Sequence, residues 1–149
     1  LHTAYRRQRQ MCIRDRNNTA RQGDLICRLG GEEFVVVAFG SDGAGVLQLA
    51  ERMRAAIENL EVPDATRNQI IRCTATIGLS HSFDNLQAFD ECLQQADAAL
   101  YRGKAAGRNR VEWAPYDSQS WLMLPGQDGH LARLCIVDDK PRSWDQRQD

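Results

Sequence analysis

Residues 24–39 read DLICRLGGEEFVVVAF, and the rest of the chain is arranged around them. Leu25, Cys27 and Leu29 alternate with Ile26 and Arg28, the period of a strand with two unlike faces. Phe34 to Phe39 is apolar at every position, as expected of a central strand covered on both sides. Gly30-Gly31 lies between the two runs, and paired glycines mark a hairpin because they accept positive φ without steric cost. Glu32 and Glu33 follow at once. Two adjacent carboxylates at a hairpin tip repel each other and add nothing to a core. A cationic partner is expected there, and a divalent metal suits it because hard cations take carboxylate oxygens.

RLGGEEF closely resembles the signature of the GGDEF family, the diguanylate cyclases, in its GGEEF form. ATIGLS (Ala75–Ser80) resembles that family's later core strand, and ADAALYRGKAAGRNRV (Ala96–Val111) its last helix and the start of its last strand. Three motifs in the same order and spacing make the resemblance specific over Asn17 to about Trp113. It implies an α/β (α+β) fold: a partial GGDEF domain with the antiparallel, ferredoxin-like sheet of nucleotide-cyclase palms and helices packed on it.

The bulk properties agree with one ordinary globular domain. The chain has 149 residues, 42% hydrophobic and 26% charged, with a formal net charge of −1. That balance makes no general electrostatic case for nucleic acid or an anionic membrane. No apolar run approaches the ~20 residues of a membrane span, and no apolar stretch follows the basic N-terminus as a secretory signal requires. The five cysteines are scattered without a CxxC pair, which reads as reduced thiols in a cytoplasmic protein.

Residues 1–16, LHTAYRRQRQMCIRDR, are crowded with arginine and lack apolar periodicity. Met11–Arg16 can be encoded by a transposase adaptor used in sequencing libraries, so 1–16 is expected to be a non-native or disordered leader and is set aside. Residues 17–114 are then the C-terminal part of a GGDEF domain. Ser41–Leu60 reads as an amphipathic helix with Ser41 or Asp42 as its cap and Val46, Ala50, Met53, Ile57 and Leu60 as its stripe. Arg52 and Arg54 fall off that stripe and read as solvated charge. Glu61–Asn68 reads as a polar loop. Gln69–Ser80 reads as a strand with Ile71, Cys73, Ala75, Ile77 and Leu79 on one face, and His81 as a loop-edge residue. Asp84 or Asn85 is expected to cap a second helix with Phe89, Leu93, Ala96 and Leu100 inward and Gly107 as its C′ residue. Residues 115–130 read as a linker. In 131–149, LCIVDDKP resembles the first strand of receiver domains; the other reading is a C-terminal tail.

The resemblance implies chemistry as well as fold. The reaction is synthesis of cyclic di-GMP from two GTP by metal-dependent nucleotidyl transfer, with Mg²⁺ or Mn²⁺ and a second GGDEF domain facing the first in a homodimer. Glu32 and Glu33 are the implied catalytic and metal-binding residues. Gly30, Gly31, Lys104 and Arg108 are the implied substrate contacts, the last two from the KxxGRN pattern; read bare, Lys104 complements a helix dipole and Arg108 is surface. Arg21 and Asp24 fit an RxxD motif that binds the product as an inhibitor, joined by Arg52; read bare, the pair is a solvated turn. The competing class is a non-catalytic GGDEF module acting as a receptor for cyclic di-GMP or GTP. The family's first core strand carries a metal-binding aspartate, and nothing in residues 1–23 matches it. The intact Glu32-Glu33 pair favours the enzyme over the receptor for the parent protein, and the missing strand leaves this chain expected to be inactive.

Overall fold

The computed structural model describes residues 23–64, 68–83, 85 and 88–114, together with the backbone strand 132–141. Its elements are β1 (Leu25–Gly30), β2 (Glu33–Phe39), α1 (Gly43–Glu58), β3 (Val62–Asp64), β4 (Gln69–Ile71), β5 (Cys73–Phe83), α2 (Phe89–Ala105), β6 (Val111–Trp113) and β7 (Ala132–Pro141). Five strands form one sheet in the order β1-β2-β7-β5-β6, and β3 and β4 form a separate hairpin. This is the mixed α/β architecture expected from the sequence.

β1 and β2 pair antiparallel around the turn at Gly31-Glu32, with Leu25 opposite Val37 and Gly30 opposite Glu33. β2 is a covered strand, because the two helices take opposite faces of the sheet. Phe34, Val36 and Ala38 pack with Val46, Leu49, Ala50, Met53 and Ile57 of α1 and with Cys73, Ala75, Ile77 and Leu79 of β5. Val35 and Val37 pack on the other side with Cys92, Ala96 and Leu100 of α2. The expected apolar run therefore has a partner on each face from Phe34 to Ala38. Phe39 departs from the expectation and is 45% exposed, because it ends the strand beyond both helices. On β1, Ile26 joins the α1 side, whereas Leu25 and Leu29 are exposed.

α1 starts where the sequence indicates. Asp42 is its N-cap, and its carboxylate accepts a hydrogen bond from the Gly45 amide at 2.7 Å. The buried stripe also includes Leu49, while Leu60 is only partly buried against the core. The segment after α1 is not simply a polar loop. Val62 and Asp64 are buried, and Val62–Asp64 pairs antiparallel with Gln69–Ile71. The expected strand Gln69–Ser80 is accordingly two strands, β4 and β5, parted at Arg72. Arg72 is half exposed and ion-pairs with Glu61. β5 also continues to Phe83, so His81 lies within a strand. Its amide donates to Gln95 Oε1 on α2 at 3.1 Å.

α2 begins at Phe89, with Ala88 at the cap position and no side-chain cap; Asn85 instead accepts from the Ala88 amide at 3.0 Å. β6 then pairs with β5 in parallel, the one departure from an all-antiparallel sheet among the described residues. A helix between two strands of one sheet permits that direction. β7 occupies the centre of the sheet. It pairs antiparallel with β2, from Glu33 opposite Asp138 to Phe39 opposite Ala132, and with β5, from Cys73 opposite Pro141 to Phe83 opposite Ala132. β7 thus lies between β2 and β5 and gives each a hydrogen-bonded partner strand.

Candidate active site

The hairpin tip is held from within. Gly31 has φ 54°, a conformation that favours glycine, and its carbonyl accepts two bonds from the Arg28 guanidinium, at 3.2 and 2.8 Å. A Cβ built on Gly31 would meet no atom within 4 Å, so the backbone faces open space there. Glu32 lies in the turn and Glu33 opens β2, both half-buried. The Glu33 carboxylate is 3.6 Å from Lys104 Nζ, which comes from the last turn of α2.

α2 reaches the hairpin because it lies unusually close to the sheet. A Cβ on Gly78 of β5 would stand 2.1 Å from the Ala96 carbonyl oxygen and 2.5 Å from the Leu100 nitrogen. A Cβ on Gly103 would stand 2.7 Å from Thr76 Cγ2. Two absent side chains thus let helix backbone rest on strand backbone, which sets the height of Lys104 over β2.

The end of α2 is a Schellman motif. The Gly107 amide donates to the Lys104 carbonyl at 3.4 Å and the Arg108 amide to the Gly103 carbonyl at 2.9 Å, with Gly107 at φ 112°. Gly107 is the C′ residue that the sequence indicates. Arg108 follows at φ 61° and is exposed; among the described residues its guanidinium has no ion-pair partner. Asn109, at φ 48°, is anchored on three sides. Its amide donates to Thr76 Oγ1 at 3.1 Å, its Nδ2 to Glu58 Oε1 at 2.9 Å, and its Oδ1 accepts from Arg54 Nη1 at 2.8 Å.

Arg54 was read from the sequence as ordinary solvated charge, and its place differs. Its side chain is only 20% exposed and pairs with Glu51 at 2.9 Å and Glu58 at 2.8 Å. Hydrogen bonds donated to the Glu51 carboxylate, then to that of Glu58, raise its pKa above the ordinary arginine value, against a smaller opposing effect of burial. The contribution of that charge to stability is thus constant through neutral pH and is lost only in strong alkali. The Arg28 contact with the turn and the Arg54–Asn109 contact carry no signal in a single sequence, because one is made to a turn carbonyl and the other to a partner distant in the chain.

Of the residues linked with product binding, Arg21 lies outside the described residues. Asp24 is half-buried and accepts a hydrogen bond from the Phe39 amide at 3.3 Å, closing the open end of the hairpin. Arg52 is exposed on α1. The leader 1–16 and the linker 115–130 also lie outside the described residues.

The donor chemistry of Glu32 and Glu33 fits a hard divalent cation. Both come from one turn, however, and can cover one side of an ion. Among the described residues no three His, Cys, Asp or Glu side chains are grouped to hold a metal. Asp138 of β7 stands at the register position opposite both Glu33 and Thr76.

Comparison with known proteins identifies the family. The family model described as "Diguanylate cyclase, GGDEF domain" matches residues 14–110. The chain is 40% identical over 94 residues to diguanylate cyclase DgcP of Pseudomonas aeruginosa, covering 63% of this chain and 14% of that protein. It is 39% identical over 92 residues to diguanylate cyclase DgcM of Escherichia coli K12, covering 62% and 21%. It is 35% identical over 103 residues to response regulator PleD of Caulobacter vibrioides, covering 69% and 22%. The chain thus spans about a seventh to a fifth of the length of these relatives. The matched span contains the Gly30–Glu33 hairpin, the close-packed α2 and the Lys104–Asn109 turn, and by it the chain belongs to the GGDEF family of diguanylate cyclase domains.

Proposed function

We propose that the protein to which this chain belongs is a diguanylate cyclase, joining two GTP molecules into cyclic di-GMP with release of two pyrophosphates. One observation carries the reading. Lys104, at the end of α2, stands 3.6 Å from Glu33 at the hairpin tip, so a phosphate-binding cation and a metal-binding carboxylate meet at one place. The pair is weak enough to part: both side chains are partly exposed to solvent, and such a contact contributes roughly 0–1 kcal/mol. A triphosphate with its metal can take over both charges, Lys104 turning to phosphate and Glu33 to the cation.

In this reading Glu32 and Glu33 hold Mg²⁺ or Mn²⁺, which supplies charge neutralisation at the triphosphate and eases loss of the 3′ proton. Lys104 and Arg108 neutralise the β- and γ-phosphates. Gly30 and Gly31 leave the turn backbone open to close approach. The ribose 3′-oxygen of one GTP forms a bond to the α-phosphorus of the other as the bond to pyrophosphate breaks, and the 3′ proton passes to a carboxylate or to water. A second attack with the roles of the two nucleotides exchanged closes the ring and releases the second pyrophosphate, which requires two domains face to face and hence a homodimer. Arg21, Asp24 and Arg52 form the product-binding, inhibitory site. No described helix is long and apolar enough to cross a membrane, and the reaction needs cytoplasmic GTP.

The test is a titration of GTP with Mg²⁺ into the 149-residue chain, followed by calorimetry. Lys104→Ala is expected to weaken binding about tenfold, the value of one charge-assisted hydrogen bond. Glu33→Gln is expected to abolish the dependence of binding on Mg²⁺. In the full-length parent, Glu33→Gln should abolish product. Binding that ignores both substitutions would reject the site.

A further inference from the structure

Three consecutive residues after α2 have positive φ: Gly107 at 112°, Arg108 at 61° and Asn109 at 48°. Glycine adopts this geometry freely. Arginine does not, and asparagine only tolerates it. Such a turn persists where its surroundings over-determine it, and strain of this kind gathers at functional sites.

The surroundings here are specific. The Schellman bonds tie Gly107 and Arg108 to α2. On the far side, the Arg110 carbonyl accepts from the Ile77 amide at 2.9 Å, which ties the chain to β5. Asn109 lies between and joins a third element, α1, through Glu58 at 2.9 Å and Arg54 at 2.8 Å. Arg54 is itself fixed by Glu51 and Glu58, so it cannot swing away without losing two ion pairs. The outcome is a rigid frame around one residue that makes no ion pair within it, the exposed Arg108.

The frame does not serve the core. Its side chains are polar, and Glu51 and Arg108 are exposed. What it does is fix the backbone from which Arg108 projects, four residues beyond Lys104 and past the end of α2. An arginine fork placed in advance loses less freedom when it meets an oxyanion than one on a loose turn.

We infer that Arg54 and Asn109 are positioning residues that hold the 107–109 turn in its left-handed form and thereby present Arg108 to a polyphosphate. The inference rests on the phosphate role proposed above for Lys104 and Arg108, and goes beyond it by assigning the supporting residues on α1 and in the turn.

The experiment uses the full chain and inorganic tripolyphosphate as probe. Asn109→Gly keeps the positive φ and removes both side-chain bonds. Arg54→Met keeps the aliphatic stem and removes the fork. Each variant is expected to weaken tripolyphosphate binding about tenfold, a modest loss on the scale set by misplacing a binding group. The double variant is expected to be no weaker than either single, because both act through one contact. Amide exchange at Arg108–Arg110 should quicken in each, while exchange in β2 stays as in the wild type. Unchanged affinity in both variants would overturn the inference and leave the phosphate site standing. A lowered thermal midpoint with unchanged affinity would likewise overturn it, assigning the pair a purely structural clasp. A wild-type chain that binds no tripolyphosphate overturns the phosphate reading and this inference with it.

Discussion

At Gly78 the spacing between a helix and a strand is set by one missing carbon. The Ala96 carbonyl oxygen lies 2.1 Å from where a Cβ would stand, and both groups belong to main chain that cannot step aside. Gly78→Ala should therefore lift α2 off β5 at a cost of about 1–3 kcal/mol, the range for overpacking a tight core. Urea unfolding would read this as a lowered midpoint at constant slope. Lys104 would rise with the helix, so a triphosphate contact should weaken in the same variant. Gly103→Ala is expected to be milder, because the Cβ would meet the end of the Thr76 side chain. Glycine at both positions is visible in the sequence, but nothing in the sequence says that it is there for close approach and not for a turn.

At the scale of elements, α1 depends on its cap. Asp42 satisfies the Gly45 amide, and α1 has no acidic residue in its first turn to assist. Asp42→Ala should cost about 1 kcal/mol, and Asp42→Ser much less, measured as shifts in thermal midpoint. The hairpin behaves differently, since its turn is set by Gly31 and by Arg28 reaching back to the Gly31 carbonyl. Arg28→Ala should leave both strands paired, because their register rests on Leu25–Gly30 against Glu33–Val37. It should raise amide exchange at Glu32 and Glu33 only. Glycines, a cap and apolar stripes sufficed to read both helices and this hairpin, since each is a local pattern. The β3–β4 hairpin escaped that reading: three-residue strands around Pro63 carry too little periodicity to stand out, and Val62 is buried by partners elsewhere in the chain.

At the scale of the molecule, the central position of the sheet belongs to β7, the last of the described strands. β7 pairs on both sides, so its amides should exchange as slowly as those of β2 and β5. Ile136→Pro removes a donor from the middle of that ladder and should destabilise the whole domain by at least about 1–3 kcal/mol. Fast exchange across 132–141, with β2 and β5 still protected, would show that these two strands do without it. Catalysis by this chain is a separate matter. On the function proposed above, Glu32 and Glu33 would face a cation from one side and two domains would have to meet, so the chain with GTP and Mg²⁺ is expected to yield no cyclic di-GMP. Product that appears in the wild type and vanishes in Asp138→Asn would assign the missing carboxylate to β7, the strand in register with Glu33.

What the sequence determined by itself was local and chemical. Gly30 to Glu33 had to be a tight turn bearing two carboxylates, Phe34 to Phe39 read as a strand covered on both faces, which holds as far as Ala38, and Gly107 had to end a helix, because glycine conformation, alternation and capping act within a few residues. What only the tertiary structure decided was which distant residues meet. Lys104 reaches Glu33 because Gly78 and Gly103 let α2 lie on the strands, and Arg54 grips Asn109 because α1 and the turn after α2 converge beside β5. The partner strand at the centre of the sheet was decided in the same way. An apolar run such as Leu134–Val137 can pair with any open edge of matching length, and the choice of edge depends on which backbone donors and acceptors the assembled domain leaves unpaired.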